Sequence, residues 1–445
     1  MTNNDILEEA LQALDAPQGH YAELERYMSG TQRLSWISPE SRKALGNRLP
    51  RLASNLPALQ VNSLVERLRP VGFSDPRAWD LFQATDLDQL AALAMADALA
   101  FSVGYMLVWS KDGKPVASVE SPRQCHVLRD PADRSVVCGV KRFHTKDQTI
   151  AYLYLPDRIE KWVANGQGAP IAGFTIAEVI DNPLGQVVLV PVDNGHSEIR
   201  DLLPLCDALN HLLVSMMVGA EAAGKGRRWI SGLELIERPR LDANGDQAVD
   251  DDGQPIIDLV SPIDDIDVVQ TMISENPDTK FGALPSADLS AFEDGVRVLI
   301  SQISAVSSLP AHYLSPLTAA QVPSADGLRA AESSLIARAE SKQQRFGRAF
   351  EQVGRLLIAI DNPGTNPATL PLRVTWASAA TRSEAQEADA AVKLFQSGLL
   401  SRRGTLARLG LSEDEIAAEL EGIRSDADAT DPMNRYMSKV ARNEL

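Results

Sequence analysis

The sequence predicts an α+β fold, mainly helical, and three observations carry that reading. Residues 325–360 run without a proline, and Leu328, Leu335, Ala339, Phe346, Phe350, Val353, Leu357 and Ile360 step by three, four or seven. That spacing is one apolar face of a helix roughly 54 Å long, which needs neighbours along its whole length. Between about residues 104 and 192, short β-like runs alternate with turn residues, as in an antiparallel sheet. Residues 196–224 and 289–308 read as two further helices, and the segment between them has a different composition.

The elements follow in order. Ile6, Leu7, Ala10, Leu11 and Leu14 give residues 5–30 a helical period, broken at Pro17-Gln-Gly19 and stopped at Gly30. Residues 80–109 read as one amphipathic helical region passing into a strand at Gly104-Tyr-Met-Leu-Val-Trp109. Lys111-Asp-Gly-Lys-Pro115 is a hairpin turn. Strands continue to about residue 192, punctuated by Pro122, Asp130-Pro131, Gly139, Asp157 and Asn182-Pro-Leu-Gly185. Residues 196–224 are apolar almost all round, which suits a core helix in a monomer or a helix packed between subunits in an assembly. Across 237–294 fifteen acids face only Arg238, Arg240 and Lys280. With β-like runs at 255–260 and 268–272, this reads as a small acidic insertion. Leu289, Phe292, Val296, Leu299, Ile300 and Ile303 mark the next helix, and 310–323 reads as a loop. After Asn362-Pro-Gly364 come a strand at 370–376 and helices near 383–397 and 412–424. The tail from Ser425 is polar and charged and reads as disordered or only partly ordered.

The chain has 445 residues, with 43 Lys and Arg against 60 Asp and Glu, a net charge of −17. Such a protein is not drawn to phosphate as a whole; if it handles DNA, it does so without gripping it. Three cysteines cannot all pair and no CxxC occurs, so reduced thiols in a cytoplasmic setting are expected. The N-terminus lacks the basic and apolar regions of a signal peptide. No apolar run approaches the ~18 residues of a membrane span. The best candidate, 212–218, reads as the buried side of a helix, and no membrane partner is expected.

Two segments invite other readings. Gly219-Ala-Glu-Ala-Ala-Gly224-Lys225-Gly226 is nearly a P-loop, but Gly226 stands where a hydroxyl should bind Mg²⁺, and the segment ends a helix instead of following a strand. Asp242-Ala-Asn244-Gly-Asp246 resembles the start of a calcium loop but has Gln247 and Gly253 at the positions that want Gly and Glu. The six histidines are scattered and no Ser/His/Asp order stands out. No catalytic residue, metal or cofactor is expected. The long helix is mildly basic, with Arg329, Arg338, Lys342, Arg345, Arg348 and Arg355 against Asp326, Glu332, Glu340 and Glu351. These charges read mostly as a solvated face or pairs between subunits.

A collinear series of short signals spans about residues 20–424. It runs from Tyr27-Met-Ser-Gly30 and Asn62-Ser-Leu-Val through Gly104-Tyr-Met-Leu-Val, Glu120-Ser-Pro122, Asn182-Pro-Leu-Gly185 and Gly195-His-Ser-Glu-Ile-Arg-Asp201. It continues with Asp207-Ala-Leu-Asn210, Leu309-Pro310, Pro323-Ser-Ala-Asp-Gly327, Phe395-Gln-Ser-Gly-Leu-Leu-Ser401 and Leu409-Gly-Leu411. Each piece is weak alone; in this order they resemble the portal proteins of tailed bacteriophages, of the siphophage type found in actinobacterial phages. The compact Asn194-Gly195 junction departs from relatives that often have a longer loop there.

The resemblance implies the portal fold: wing, stem, clip and crown, in a ring around an axial channel, usually dodecameric. Carried onto this chain it makes 1–194 the wing, 195–224 the first stem helix, 225–287 the clip and 288–308 the second stem helix. It makes 309–324 the channel loop, 325–381 the long helix and return to the wing, and 382–445 the crown and tail. The implied site residues are Ser315, Thr318, Gln321 and Ser324 beside DNA, Asp250, Asp251, Asp252, Asp264 and Asp265 for partner docking, and Leu209, Leu213 and Met216 for contacts within the stem. The implied partners are further copies of the chain, terminase, a head–tail adaptor or neck protein, major capsid and scaffolding proteins, and double-stranded DNA that passes without tight binding. The implied location is the capsid vertex of the virion, after assembly in the host cytoplasm. Two other classes stay open: a nucleotide-binding enzyme using Gly224-Lys225, and a capsid or scaffold component without a channel.

Overall fold

The computed structural model describes residues 3–34, 53–166, 168, 171–224, 228–231, 236–240, 254–260, 278, 280–283, 290–314, 325–380 and 384–430. The chain divides into two units. One comprises Met1–Arg33, Ala53–Asp207 and Leu299–Leu445; the other comprises Leu34–Leu52 and Ala208–Val298.

In the first unit, α1 (Asn3–Asp15) and α2 (Gln18–Met28) are parted only at Ala16-Pro17. Then come α3 (Leu56–Val65), β1 (Pro70–Phe73), α4 (Pro76–Ala84) and α5 (Leu87–Phe101). Asp75 caps α4 by accepting from the Arg77 N–H, and Pro76 fills the first turn, where no N–H is needed. The single helical region expected from residue 80 is thus two helices. Thr85 Oγ1 donates back to the Leu81 and Phe82 carbonyls, and Asp86 takes a left-handed φ of 57°, so the helix cannot continue.

The strands are β2 (Val103–Lys111), β3 (Lys114–Glu120), β4 (Cys125–Arg129), β5 (Val136–His144), β6 (Gln148–Tyr154), β7 (Arg158–Asn165), β8 (Thr175–Asp181) and β9 (Leu189–Asp193). They form two antiparallel sheets, ordered β3-β2-β9 and β4-β5-β6-β7-β8. The β2–β3 turn has Asp112 and Gly113 both at positive φ, the conformation that matches strand twist. Period-two alternation sorts the five-stranded sheet into two apolar faces. Cys138, Val140, Ala151, Leu153 and Trp162 lie under Leu7, Ala10, Leu11 and Leu14 of α1. Val127, Tyr154 and Ile159 face Tyr105 and Leu189 of the smaller sheet. The three cysteines are buried and unbridged, and burial pushes the Cys138 thiol up to about 11.

The division between units falls inside two helices. A 3-10 turn at Arg200–Leu202 leads into α6 (Leu203–Gly224), and α7 (Ser290–Ser307) re-enters the first unit at Leu299. In the second unit, β10 (Arg228–Ser231) pairs with β13 (Lys280–Ala283), and β11 (Ile236–Pro239) with β12 (Ile257–Val260), both antiparallel. The run at 255–260 is a strand in its last four residues; the run at 268–272 lies outside the described residues. The stretch Arg200–Ala220 is long and apolar enough to cross a membrane by length and composition, although Asp207, Asn210 and His211 interrupt it. Its beginning is built into the first unit: Leu202 and Cys206 are buried, and Asp207 accepts the Tyr27 hydroxyl at 2.8 and 2.9 Å.

Beyond α7, residues expected as loop form a one-turn helix, α8 (Ala311–Leu314), started by Pro310. The long helix α9 (Ala325–Asp361) buries Leu335, Ala339, Phe346, Phe350, Val353 and Leu357 in the main core with α3, α4 and α5. β14 (Val374–Trp376) is shorter than expected and pairs antiparallel with β1, closing the chain on itself. Gly347 and Gly354 of α9 make room for this ribbon: a Cβ on Gly354 would lie 2.6 Å from Leu372 Cδ2 and 3.3 Å from Phe73 Cε1. The C-terminal part has α10 (Glu384–Gln396), α11 (Arg402–Arg408) and α12 (Glu413–Thr430). The sequence reading missed α11, which Ser401 caps by accepting from Gly404 N–H. It also ended α12 too early: Ser412 and Glu415 form a reciprocal capping box, and the helix runs past Ser425 to Thr430.

Candidate functional site at the roots of two helices

The helix α6 is apolar on most sides because Leu203, Cys206, Leu209 and Val214 interleave with Leu205, Leu212, Leu213, Met216 and Met217. Leu209 is 4% exposed and Val214 2%. Leu209 is therefore already covered in the single chain, whereas Leu213 and Met216 stay half-buried. The helices α6 and α7 approach closely at Gly295, where a Cβ would lie 2.9 Å from Leu212 Cδ2. Gly295→Leu is expected to push this pair apart and lower the melting temperature, read by calorimetry; an unchanged midpoint would show that the two helices are not so closely packed in solution. On α7, Val298 and Val306 are 61% and 41% exposed. Together with Leu213 and Met216 they give the two helices apolar surface that one chain does not use.

Both helices are rooted in one buried ionic node. Glu198, two residues before the 3-10 turn, has a fully buried side chain. Lys342 Nζ of α9 lies 2.5 Å from its Oε1, and Arg338 Nη2 lies 2.6 Å from its Oε2, a contact of charge more than of hydrogen-bond alignment. Asn194 Nδ2 donates to Oε1 at 3.0 Å, and Lys342 donates in turn to Asn194 Oδ1 at 2.7 Å. Burial alone would push the Glu198 carboxyl up. The hydrogen bonds from Lys342 and Asn194 and the charges of Arg338 and Lys342 outweigh it and hold the group below its ordinary value.

Arg338 reaches the second root with its other nitrogen. Nη1 donates to Ser307 O at 2.9 Å and Val306 O at 3.3 Å, the carbonyls at the C-terminal end of α7, where a cation is favoured. Gln60 of α3 donates to the same Ser307 carbonyl. One guanidinium thus ties the approach to α6, the end of α7 and the long helix. Two turns earlier on α9, Glu332 meets Arg67 at 3.2 Å and His312 at 3.7 Å, and Tyr313 OH lies 2.9 Å from Arg67 Nη2. Arg67 Nη1 also donates to Ala379 O. This second node holds α8, the last described element before residue 315.

The sequence reading placed most of the long helix's charges on a solvated face or between subunits; Glu340, Arg345 and Arg348 are exposed accordingly, but three others are not. Lys342, Glu332 and Glu351 are each 7% exposed. The signal was present: Lys342 occupies the apolar stripe between Ala339 and Phe346, where a charge must be paired. Ser315, Thr318, Gln321 and Ser324 lie outside the described residues, as do Asp250, Asp251, Asp252, Asp264 and Asp265 and the calcium-loop lookalike. Around Gly224 a helix precedes and strand β10 follows, the reverse of the order a P-loop needs.

Residues 70–433, from β1 past the end of α12, match the family model for phage portal proteins of the SPP1 Gp6-like type. The chain belongs to the phage portal proteins. The portal protein of Mycobacterium phage L5 is 29% identical over 452 aligned positions, covering 89% of this chain and 88% of that protein. The portal protein of Mycobacterium phage D29 is 28% identical, covering 84% and 82%. Solved structures of a gene transfer agent virion and its neck cover 88% of this portal protein at 12% and 14% identity, each with a TM-score of 0.42. As a portal protein it is a structural component of a phage head. The two ionic nodes are then features of a portal chain, both within its first unit.

Proposed function

We propose that this portal protein assembles as a ring, dodecameric, whose axial channel passes double-stranded DNA into the capsid and out again. The observation that carries the reading is the family match over residues 70–433, which takes in both α6 and α7, the acidic insertion between them and the long helix. The charge supports it. DNA carries about one negative charge per 1.7 Å of axis, and a wall that repels phosphate lets it slide in a hydrated gap. The unspent apolar surface of α6 and α7, including Leu213 and Met216, suits contact between neighbouring copies. The acidic insertion suits docking of terminase during packaging and of an adaptor or neck protein afterwards, with Asp250, Asp251, Asp252, Asp264 and Asp265 as its charged surface. Assembly takes place in the host cytoplasm, with capsid and scaffolding proteins as further partners, and the protein itself catalyses nothing.

The proposed channel loop gives the test. Thr318 and Gln321 are uncharged, and replacing both with Lys places two rings of cations beside DNA. Packaging in vitro is expected to slow and to become salt-sensitive through counterion release, while ring formation in electron micrographs stays normal. Wild-type packaging rates at low and moderate salt would mean that this loop does not approach DNA.

A further inference from the structure

Four of the twelve large apolar residues exposed in the described chain fall between 392 and 409: Val392 at 46%, Phe395 at 41%, Leu399 at 73% and Leu409 at 38%. Val392 and Phe395 are three apart on α10 and share a face. The helix then ends at Gly398, with φ 72°, and the Leu399 N–H donates to Leu394 O at 3.0 Å. In this kind of helix stop the residue after the glycine usually folds back onto the residue it bonds. Leu399 does not; it stands in water. Folding has left the apolar surface of α10 and its turn open with α12 of the same chain already in place.

What covers it is indicated by charge. Beside the patch, α11 carries Arg402, Arg403 and Arg408 and no acid, whereas α12 carries seven acids against Arg424 alone. The inner side of α12 is occupied: Ile416 is 2% exposed, and Asp414 accepts from Gln83 Nε2 at 2.7 Å and from Trp79 Nε1 at 3.4 Å. Its outer side presents Ala418, Glu419, Gly422 and Asp426, all exposed, where small residues allow close approach and acids flank them.

We propose that the Val392, Phe395 and Leu399 surface of each copy docks on the outer, acidic side of α12 of the next copy. Both halves of the contact are exposed on every chain and lie at different places on it, so the contact is head-to-tail and repeats, the kind that closes into a ring. It rests on the ring reading above, and it adds a specific interface away from the α6 and α7 pair.

Assembly of the purified full chain, followed by ultracentrifugation against concentration, tests it. Phe395→Glu with Leu399→Glu is expected to raise the concentration for half-assembly by roughly tenfold or more. The monomer's melting should not change, because both side chains are exposed. Arg402→Glu and Glu419→Arg should each weaken assembly, and the two together should restore it, since they reverse one charge pair across the contact. If wild type forms rings and the double Glu variant forms them at the same concentration, the surface is not an interface between copies, even if it binds some other partner. If the reversed pair shows no rescue, the docking on α12 is wrong. A wild type that stays at 48.2 kDa at high concentration sinks the ring reading and this contact with it.

Discussion

Glu198→Ala will destabilise this portal protein by about 3–5 kcal/mol, the usual cost of leaving buried charge without its partner. The lost atoms are few. The damage lies in Lys342, whose side chain is 9% exposed, and in Arg338, both of which would keep their charge with no carboxylate to answer it. Asn194 would also lose one of the two acceptors of its amide, keeping the His196 carbonyl. Thermal melting at pH 7 measures the effect, and an unchanged midpoint would mean that water enters the node and screens it. The pH dependence has a definite sign. The folded Glu198 carboxyl titrates below its unfolded value, so its contribution is complete above the unfolded value of about 4.3. It is lost as pH falls through the folded value. Wild type should therefore weaken in acid more steeply than Glu198→Gln, which has no such proton to take up. Because Arg338 also grips the end of α7, Glu198→Ala should loosen both helix roots, visible as faster amide exchange near Ser307 as well as near Leu203.

Gly104→Ala, a change of one methyl, should cost about 3 kcal/mol or more, at the upper end of overpacking effects. An added Cβ would sit 2.1 Å from the Ala94 carbonyl oxygen and 3.2 Å from Ala98 N. These are backbone atoms of α5, and no rotamer change can move them aside. Strand β2 crosses α5 at this point, and β2 is the central strand of its sheet. The methyl must therefore lift the sheet from the helix or distort the helix. Soluble yield and melting temperature are the measurements; a Gly104→Ala protein that melts with wild type would show that α5 and β2 are not so closely packed in solution.

These two positions also mark what the sequence disclosed and what it did not. The apolar stripe of α9 was legible because every turn or every second turn repeats one residue class, and seven of its eight expected positions are buried. The strands were legible through their turns. Gly104 was visible as part of a collinear pattern, but nothing local says that a helix backbone lies beside it. Likewise Lys342 could be seen on the apolar stripe, yet its partner Glu198 lies 144 positions earlier, and only the fold brings them together. The break at Thr85-Asp86 was hidden because neither residue is a helix breaker by type; a back-bond and a left-handed dihedral decide it. Of the expected site residues, Leu209, Leu213 and Met216 came into view, and they divide: the first is buried in the fold, while the other two stay half-buried.

The pairing of β1 with β14 has a consequence for how the chain is made. Phe73 bonds its ribbon to Val374, so about 300 residues must leave the ribosome before that strand meets its mate. At 5–20 residues per second this is roughly 15–60 s. The long helix that lies against the same ribbon is also late, so the nascent N-terminal half waits with Phe73 and the α4 aromatics Trp79 and Phe82 lacking their cover from Phe350 and Trp376. A product truncated or stalled before residue 374 lacks the strand that closes this ribbon and cannot complete its main core. Only a chain read through to Trp376 can complete this core.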